Sequence, residues 1–327
     1  MKVFHLIDTI KAGGAENVAY NYARVLSDLN IKSVIVGSVD SHSYEEKLSG
    51  FAEIKHSFNI KKDINAGDVV FVHSNRNLIK LLVHWKYLRK KKNKVVYIQH
   101  LFYSEKKFYF LSKIINFVCS DFIQITPITS DFISKYIKIP THFIVNFYIN
   151  KYKKSEWSQI RNSVREVLGF SKDLKIVAFS AIFKPNKGVE FVVRLAEQMV
   201  HDKNYKFLVI GDGPEADYVR NYKHDNLLWI GRVDDVERYL IASDYYLFLS
   251  LFKKEMMPMA LIEAINVEKN ILALDTSINR FLLDGQTYKD LDHIYKALYL
   301  EKGKNGYRHY DREYAKKEIT RLLNIDE

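Results

Sequence analysis

The sequence predicts an α/β fold made of two doubly wound parallel sheets. Three observations point there. Short apolar runs rich in β-branched and aromatic residues alternate with stretches of helical periodicity. The alternation breaks once, over Asn150–Lys172, where a polar, basic stretch replaces it, and then resumes. The length of 327 residues suits two domains at roughly 150 residues each.

In the first half the strand-like runs are Val3–Ile7, Ser33–Gly37, Val69–Val72, Val95–Ile98, Phe122–Thr126 and Phe143–Val145. Continuous apolar runs of this length suit strands buried on both faces. Between the first two, Glu16–Leu29 sets Val18, Ala19, Tyr22, Val25, Leu26 and Leu29 at helical spacing. That makes a βαβ unit, and hence a parallel sheet with helices packed on it. The second half restarts at Lys175–Phe179 and continues through Phe207–Ile210, Leu227–Ile230, Tyr245–Leu249 and Ile271–Leu274. Helical patterns begin there near Val189, Pro214, Asp235 and Pro258. The predicted first domain is residues 1–150, and the second runs from 151 to 310. In such sheets ligands sit beyond the carboxyl ends of the strands, so two facing domains would enclose a cleft.

Apolar residues make up 47% and charged residues 27% of the chain, which excludes disordered, collagen-like and low-complexity classes. The net charge of +11 favours an anionic partner: nucleic acid, acidic lipid or a phosphate-bearing substrate. Cys119 is the single cysteine, so an intrachain disulfide and a cysteine zinc site are excluded and a reducing compartment is expected. The first residues, Met1–Asp8, meet a charge too early for a signal-peptide core. The densest apolar stretch, Tyr245–Phe252, has strand length and cannot span a bilayer. Membrane association is expected to be peripheral.

Several strand-to-helix turns carry chemistry. Gly13 and Gly14 follow the first strand, and the helix is predicted to start at about Glu16. Adjacent glycines let backbone amides approach an anion at a helix N-terminus, although a tight turn explains them as well. They do not form a G-x-G-x-x-G fingerprint, which argues against a dinucleotide oxidoreductase. Gly211-Asp212-Gly213-Pro214 and Gly231-Arg232-Val233 follow later strands. Arg232 would sit at a sheet edge where a guanidinium pairs with phosphate, or else pair with Asp234 or Asp235. Lys184 and Lys187, after the strand ending at Phe179, could neutralise charge on a leaving diphosphate. His73 and His100 follow the strands ending at Val72 and Ile98 and could donate hydrogen bonds to substrate; a structural role for His73 is an equal reading. Glu255 and Glu263, with Met256 and Met257 between them, flank the helix start at Pro258. Two carboxylates bracketing free amides could take hydroxyls and a diphosphate, the pattern of a nucleotide sugar.

Together these pieces resemble the family-4 retaining glycosyltransferases of the GT-B fold. The resemblance rests on Gly13-Gly14-Ala15-Glu16, His100, Lys187-Gly188, Gly211-Asp212-Gly213-Pro214, Ala242-Ser243-Asp244 and the Glu255/Glu263 pair ending in Ala264. It implies two facing Rossmann-like domains with an interdomain cleft. The donor, a UDP- or GDP-linked sugar, would be held mainly by the second domain and the acceptor by the first. No cofactor and no metal are implied. A final segment, 311–327, would return to the first domain as a helix, with Tyr314–Leu323 the candidate. Glu255 would bind donor-sugar hydroxyls, Glu263 the ribose, Gly13 and Gly14 the diphosphate; His100 would face the donor sugar and Lys187 the leaving phosphate. Lys184, Gly211, Gly213, Arg232, Val233, Met256 and Met257 would complete the donor site. Where the family has an arginine a few residues before the lysine, this chain has Ser180-Ala181-Ile182, with no arginine between Arg165 and Arg194. Met256 replaces a small residue, and Asn146–Asn150 replaces the usual Asn-Gly-Ile-Asp.

The implied product is a cell-surface polysaccharide. The competing expectation is a GT-B protein that has lost catalysis and serves as a binding or scaffolding subunit. Lys80–Lys94 and Lys106–Lys113 interleave cations with Leu81, Trp85, Phe108 and Phe110. Trp85, Arg89, Lys90, Lys91, Lys92, Lys106 and Lys107 are therefore expected to face an anionic membrane, with a core-packing helix as the alternative. The expected setting is the cytoplasm, at the inner face of the cytoplasmic membrane, with a lipid-linked or oligosaccharide acceptor. No nucleic-acid-binding signature accompanies the charge.

Overall fold

The computed structural model describes residues 1–10, 13–39, 42–251, 256–301 and 306–325. It divides into two compact units. The first comprises Met1–Phe147, Lys254–Pro258 and Tyr310–Glu327, and the second Tyr148–Lys253 and Met259–His309.

The first unit runs β1 (Lys2–Ile10), α1 (Gly14–Asp28), β2 (Lys32–Val39), α2 (His42–Ser49), β3 (Glu53–Lys55), α3 (Ile60–Asp63) and β4 (Val69–Val72). It continues with α4 (Asn75–Leu82), α5 (Trp85–Lys90), β5 (Lys94–Ile98), α6 (Glu105–Val118), β6 (Asp121–Gln124), α7 (Ser130–Tyr136) and β7 (Thr141–Phe143). The seven strands form a parallel sheet in the order β3-β2-β1-β4-β5-β6-β7. The chain leaves β1 toward β2 and β3 and then crosses back to β4. A switch point therefore lies at the carboxyl edge between β1 and β4, where open α/β sheets place their ligands.

The second unit runs α8 (Trp157–Val167), β8 (Lys175–Ser180), α9 (Val189–Gln198), β9 (Tyr205–Ile210), α10 (Asp217–Arg220), β10 (Leu227–Trp229) and α11 (Val236–Ala242). Then come β11 (Tyr245–Phe248), α12 (Met259–Asn266), β12 (Asn270–Ala273), α13 (Ser277–Leu282) and α14 (Leu291–Tyr299). Its five strands are parallel in the order β10-β9-β8-β11-β12. A last helix, α15 (Arg312–Leu323), belongs to the first unit.

Strand alternation sends side chains to opposite faces: Phe4 and Leu6 of β1 join a core with Leu78, Leu81 and Phe108, whereas Ile7 packs with Ala19 and Ala23 of α1, and Ile10 joins Ile7 because the pairing with β2 shifts register between Leu6 and Thr9. Helix α1 ends at Asn30, which takes φ +57°, while the Ile31 amide donates to the Leu26 carbonyl at 2.8 Å, a left-handed stop for which asparagine is suited. The polar stretch 150–172 is no linker. It contains α8, whose Arg165 is 4% exposed and donates to the carbonyls of Ala242, Ser171, Lys172 and Leu174 and to Asp244 at 2.7–3.1 Å. The helix predicted from Pro214 is shorter than expected: Pro214–Ala216 form a turn and α10 is a single turn beginning at Asp217.

Candidate functional site

In the first unit three histidines stand in a row on β1 and at the ends of β4 and β5. His5 Nδ1 lies 3.2 Å from His73 Nε2, and His73 Nδ1 lies 3.0 Å from His100 Nε2. The rings of His73 and His100 stack at 5.2 Å. Burial drives all three pKa values down, His5 to about 3 and His100 to about 4, with neighbouring rings adding to the effect at His73. The row is therefore neutral near pH 7, and half-buried His100 is its outermost member.

At the β1–α1 turn Gly13 is extended (φ −164°) and serves as the N-cap. A Cβ on Gly13 would stand 2.3 Å from Glu16 Oε2, whereas Gly14 faces open space. The helix end expected to meet a diphosphate is thus approached by the protein's own carboxylate, and an anion at Gly13 requires the Glu16 side chain to swing away.

In the second unit the turns after β8, β9 and β10 emerge along one carboxyl edge, because those strands are parallel neighbours. Lys184 and Arg232 are exposed there and Lys187 is half-buried. Asp235 is engaged by Lys151 at 2.8 Å and Tyr152 at 2.5 Å, so it does not hold Arg232. Gly188 has φ +91° and lies against the Leu249 backbone, where a Cβ would come within 2.6 Å of the carbonyl oxygen. Gly211 and Gly213 have φ +132° and +152°, and a Cβ on them would meet the Ala181 and Phe183 carbonyl oxygens at 1.9 and 2.4 Å. Backbone packing of one turn on the next is what requires glycine at both positions. Val233 does not face the edge; its side chain packs beside Phe170, Leu208 and Ile210.

Glu263 lies on α12 and is half-buried. Tyr148 donates its hydroxyl proton to Glu237 at 2.9 Å, and the Glu263 carboxyl lies beside it. Burial first, then the Glu237 charge, pushes Glu263 up to about 7 against the opposing Tyr148 hydroxyl. Fully buried Glu237 also accepts the Lys151 amide at 2.8 Å. Met256 and Met257 are 2% and 6% exposed and belong to the first unit, so their side chains are core groups rather than an open pocket wall. Glu255 lies outside the described residues.

Trp85 is also a packing residue. It sits half-buried against the first unit's core, 4.6 Å from Phe117, with the Arg89 guanidinium over its ring at 5.2 Å. Arg89, Lys90, Lys91, Lys92, Lys106 and Lys107 are exposed. His5, Tyr148 and Glu237 escaped the sequence reading because each looks like an ordinary strand, linker or helix residue until its neighbours are known.

Two α/β units, each a parallel sheet with helices on it, have the fold of the GT-B glycosyltransferases on which the chain superposes. The chain superposes over 100% of its length, and of the other chain's, on HepE of Anabaena, crystallised with UDP and glucose, at a TM-score of 0.76 and 16% identity. The pneumococcal O-GlcNAc transferase GtfA, crystallised with UDP and GlcNAc, superposes at 0.71 with 11% identity, covering 99% of this chain and 98% of that one. Residues 173–297 match the family model of glycosyl transferases group 1. Over 118 residues, 35% of this chain and 29% of the relative's length, the sequence is 32% identical to the N-acetyl-α-D-glucosaminyl L-malate synthase of Bacillus anthracis.

Proposed function

We propose that the protein is a retaining glycosyltransferase that moves a hexose-type sugar from a UDP- or GDP-linked donor to a glycan or lipid-linked acceptor in cell-surface polysaccharide assembly. The observation that carries this reading is that the group 1 match, 173–297, contains the aligned turns bearing Lys184, Lys187 and Arg232. Fixed cations at one sheet edge would stabilise the charge that grows on a departing diphosphate. Neutral His100 would orient a substrate hydroxyl as a hydrogen-bond donor or acceptor, with no net charge to contribute. Neither Glu255 nor Glu263 is assigned as a general base. A thermal-shift series with UDP-glucose, UDP-GlcNAc and GDP-mannose tests the reading, since a donor that binds the folded state raises its midpoint by mass action. Lys187→Ala should cut turnover by about 100-fold or more while sparing donor binding; wild-type turnover in that variant removes the assignment.

A binding or scaffolding subunit is the second reading, favoured by Ser180-Ala181-Ile182 standing where the family places an arginine. Nucleotide binding with no turnover on any donor decides for it.

We also propose that the first unit rests on the anionic inner face of the cytoplasmic membrane. Lys106, Phe110, Lys113 and Phe117 form one stripe of α6, with Phe110 57% and Phe117 41% exposed, and among the described residues no helix is long and apolar enough to cross a bilayer. Exposed rings among cations suit a lipid headgroup region. Flotation with anionic vesicles should recover the wild type and lose a Lys106→Glu, Lys107→Glu, Lys113→Glu variant; equal recovery of both sinks the placement.

A further inference from the structure

A cavity of about 530 Å³ opens in the first unit beside the switch point of its sheet, bounded by the carboxyl ends of β1 and β2, the segment His56–Ile60 and helix α4. That volume is in the range of small-ligand sites. Its lining is divided by chemistry. Arg76 and Lys80 are four apart on α4, so they share a helix face, and His84 stands just beyond the helix. Both cations are exposed, and neither has an ion-pair partner among the described residues. Among the described residues the one carboxylate on the lining is Asp8, which accepts from Ser74 Oγ at 2.7 Å and Asn77 Nδ2 at 3.3 Å and forms no ion pair with either cation. Beside these groups the lining turns apolar at Phe58 and at Val83, which continues the same face of α4. Val83 is 80% exposed, and Ile79, one turn earlier on α4, is 54% exposed.

Two unpaired cations beside an uncovered apolar wall match a ligand that joins an anion to an apolar group. Two cations one helical turn apart, with an imidazole N–H nearby, suit a dianion with several oxygens better than a singly charged carboxylate. We propose that this cavity holds the acceptor of the transfer reaction and that the acceptor is a phosphorylated amphiphile, with its phosphate at Arg76 and Lys80 and its apolar part along Phe58 and Val83. The acceptor role rests on the function proposed above, whereas the binding chemistry does not.

The test is calorimetric titration of the full chain with hexyl phosphate, inorganic phosphate, hexanoate and hexyl β-glucoside, with UDP titrated separately. Hexyl phosphate should bind at least about tenfold more tightly than each of the other three, and less tightly as salt rises, since its cations are exposed. An Arg76→Ser, Lys80→Ser double variant should weaken hexyl phosphate by about tenfold or more and leave the UDP isotherm unchanged, as should Val83→Asp. All three positions are exposed, so these variants should fold. Hexanoate or hexyl glucoside binding as tightly as hexyl phosphate, or a double variant that binds it like the wild type, overturns the site. If UDP binds and hexyl phosphate does not, the cavity proposal falls alone. Hexyl phosphate bound at Arg76 and Lys80 with no UDP binding keeps the anion site and overturns its role as an acceptor site.

Discussion

His5, His73 and His100 can exchange protons only in step. Each neutral imidazole carries one N–H, and the two contacts at 3.2 and 3.0 Å need one donor and one acceptor apiece, so fixing the tautomer of one ring fixes the others. His73 makes two of these bonds and His5 makes one, with His5 Nε2 buried and unpartnered. Removing the middle ring therefore orphans two buried nitrogens, and removing the end ring orphans one. His73→Leu should cost roughly 2–4 kcal/mol, more than His5→Phe, because each unsatisfied buried group costs about 1–3 kcal/mol. Equal midpoints and slopes for the two variants in urea unfolding would show that the row is not coupled. His73 and His100 were legible in the sequence because each follows a strand-like run, at the edge where ligands collect. His5 was not, since a polar residue inside an apolar run carries no signal until β4 and β5 are known to lie beside it.

Elements in the second unit are joined by groups that the hydrophobic pattern hides. Helix α8 reads as a polar stretch because Arg161 and Arg165 look like surface residues. Yet Asp244 accepts from Arg161 at 2.5 Å, from Arg165 at 2.7 Å and from the Ile176 amide at 2.7 Å. The Ala242-Ser243-Asp244 motif was legible, but its partner helix was not, because the short apolar stripe Trp157, Ile160, Val164 and Leu168 is interleaved with charges and the helix is tied down through Arg161 and Arg165. Arg165→Met should destabilise the second unit by about 3–5 kcal/mol, the scale for breaking a buried ion pair by removing one partner. Arg161→Met, at the more exposed position, should cost markedly less. The same urea titration checks both, and equal losses would refute the ranking. Strand β3 escaped for a different reason: with three residues it offers too little sequence for a period to register. The glycine turns were legible as turns; that Gly211 and Gly213 answer to the Ala181–Phe183 backbone is a long-range fact that local spacing does not contain.

Across the whole molecule the two units should respond to acid in opposite directions. In the first, burial holds His5 at about 3 and His100 at about 4, with His73 also well below its usual value. Below pH 6.5 the unfolded chain takes up protons that the folded unit refuses, so its stability falls as pH falls, by roughly 2 kcal/mol at pH 5 for each of His5 and His100 taken alone, and in the same direction for His73. In the second, Glu263 is raised to about 7 and Glu237 is raised as well, chiefly by burial. The folded unit keeps protons that the unfolded chain releases above about pH 4.5, so its stability falls as pH rises from there toward 7, and acid restores it. Lys151 and Tyr148 oppose the shift at Glu263 without cancelling it, while Asp235 reinforces it. Native-state hydrogen exchange at pH 7 and pH 5, corrected for intrinsic rates, reads both units in one sample. Amides of β4 and β5 should lose protection on acidification while those of β11 and β12 gain it. Glu263→Gln should flatten the second response, and His5→Phe should reduce the first. Loss of protection in both sheets together would mean that Glu263 is ionised in the folded protein, and that Tyr148 and Lys151 outweigh its burial.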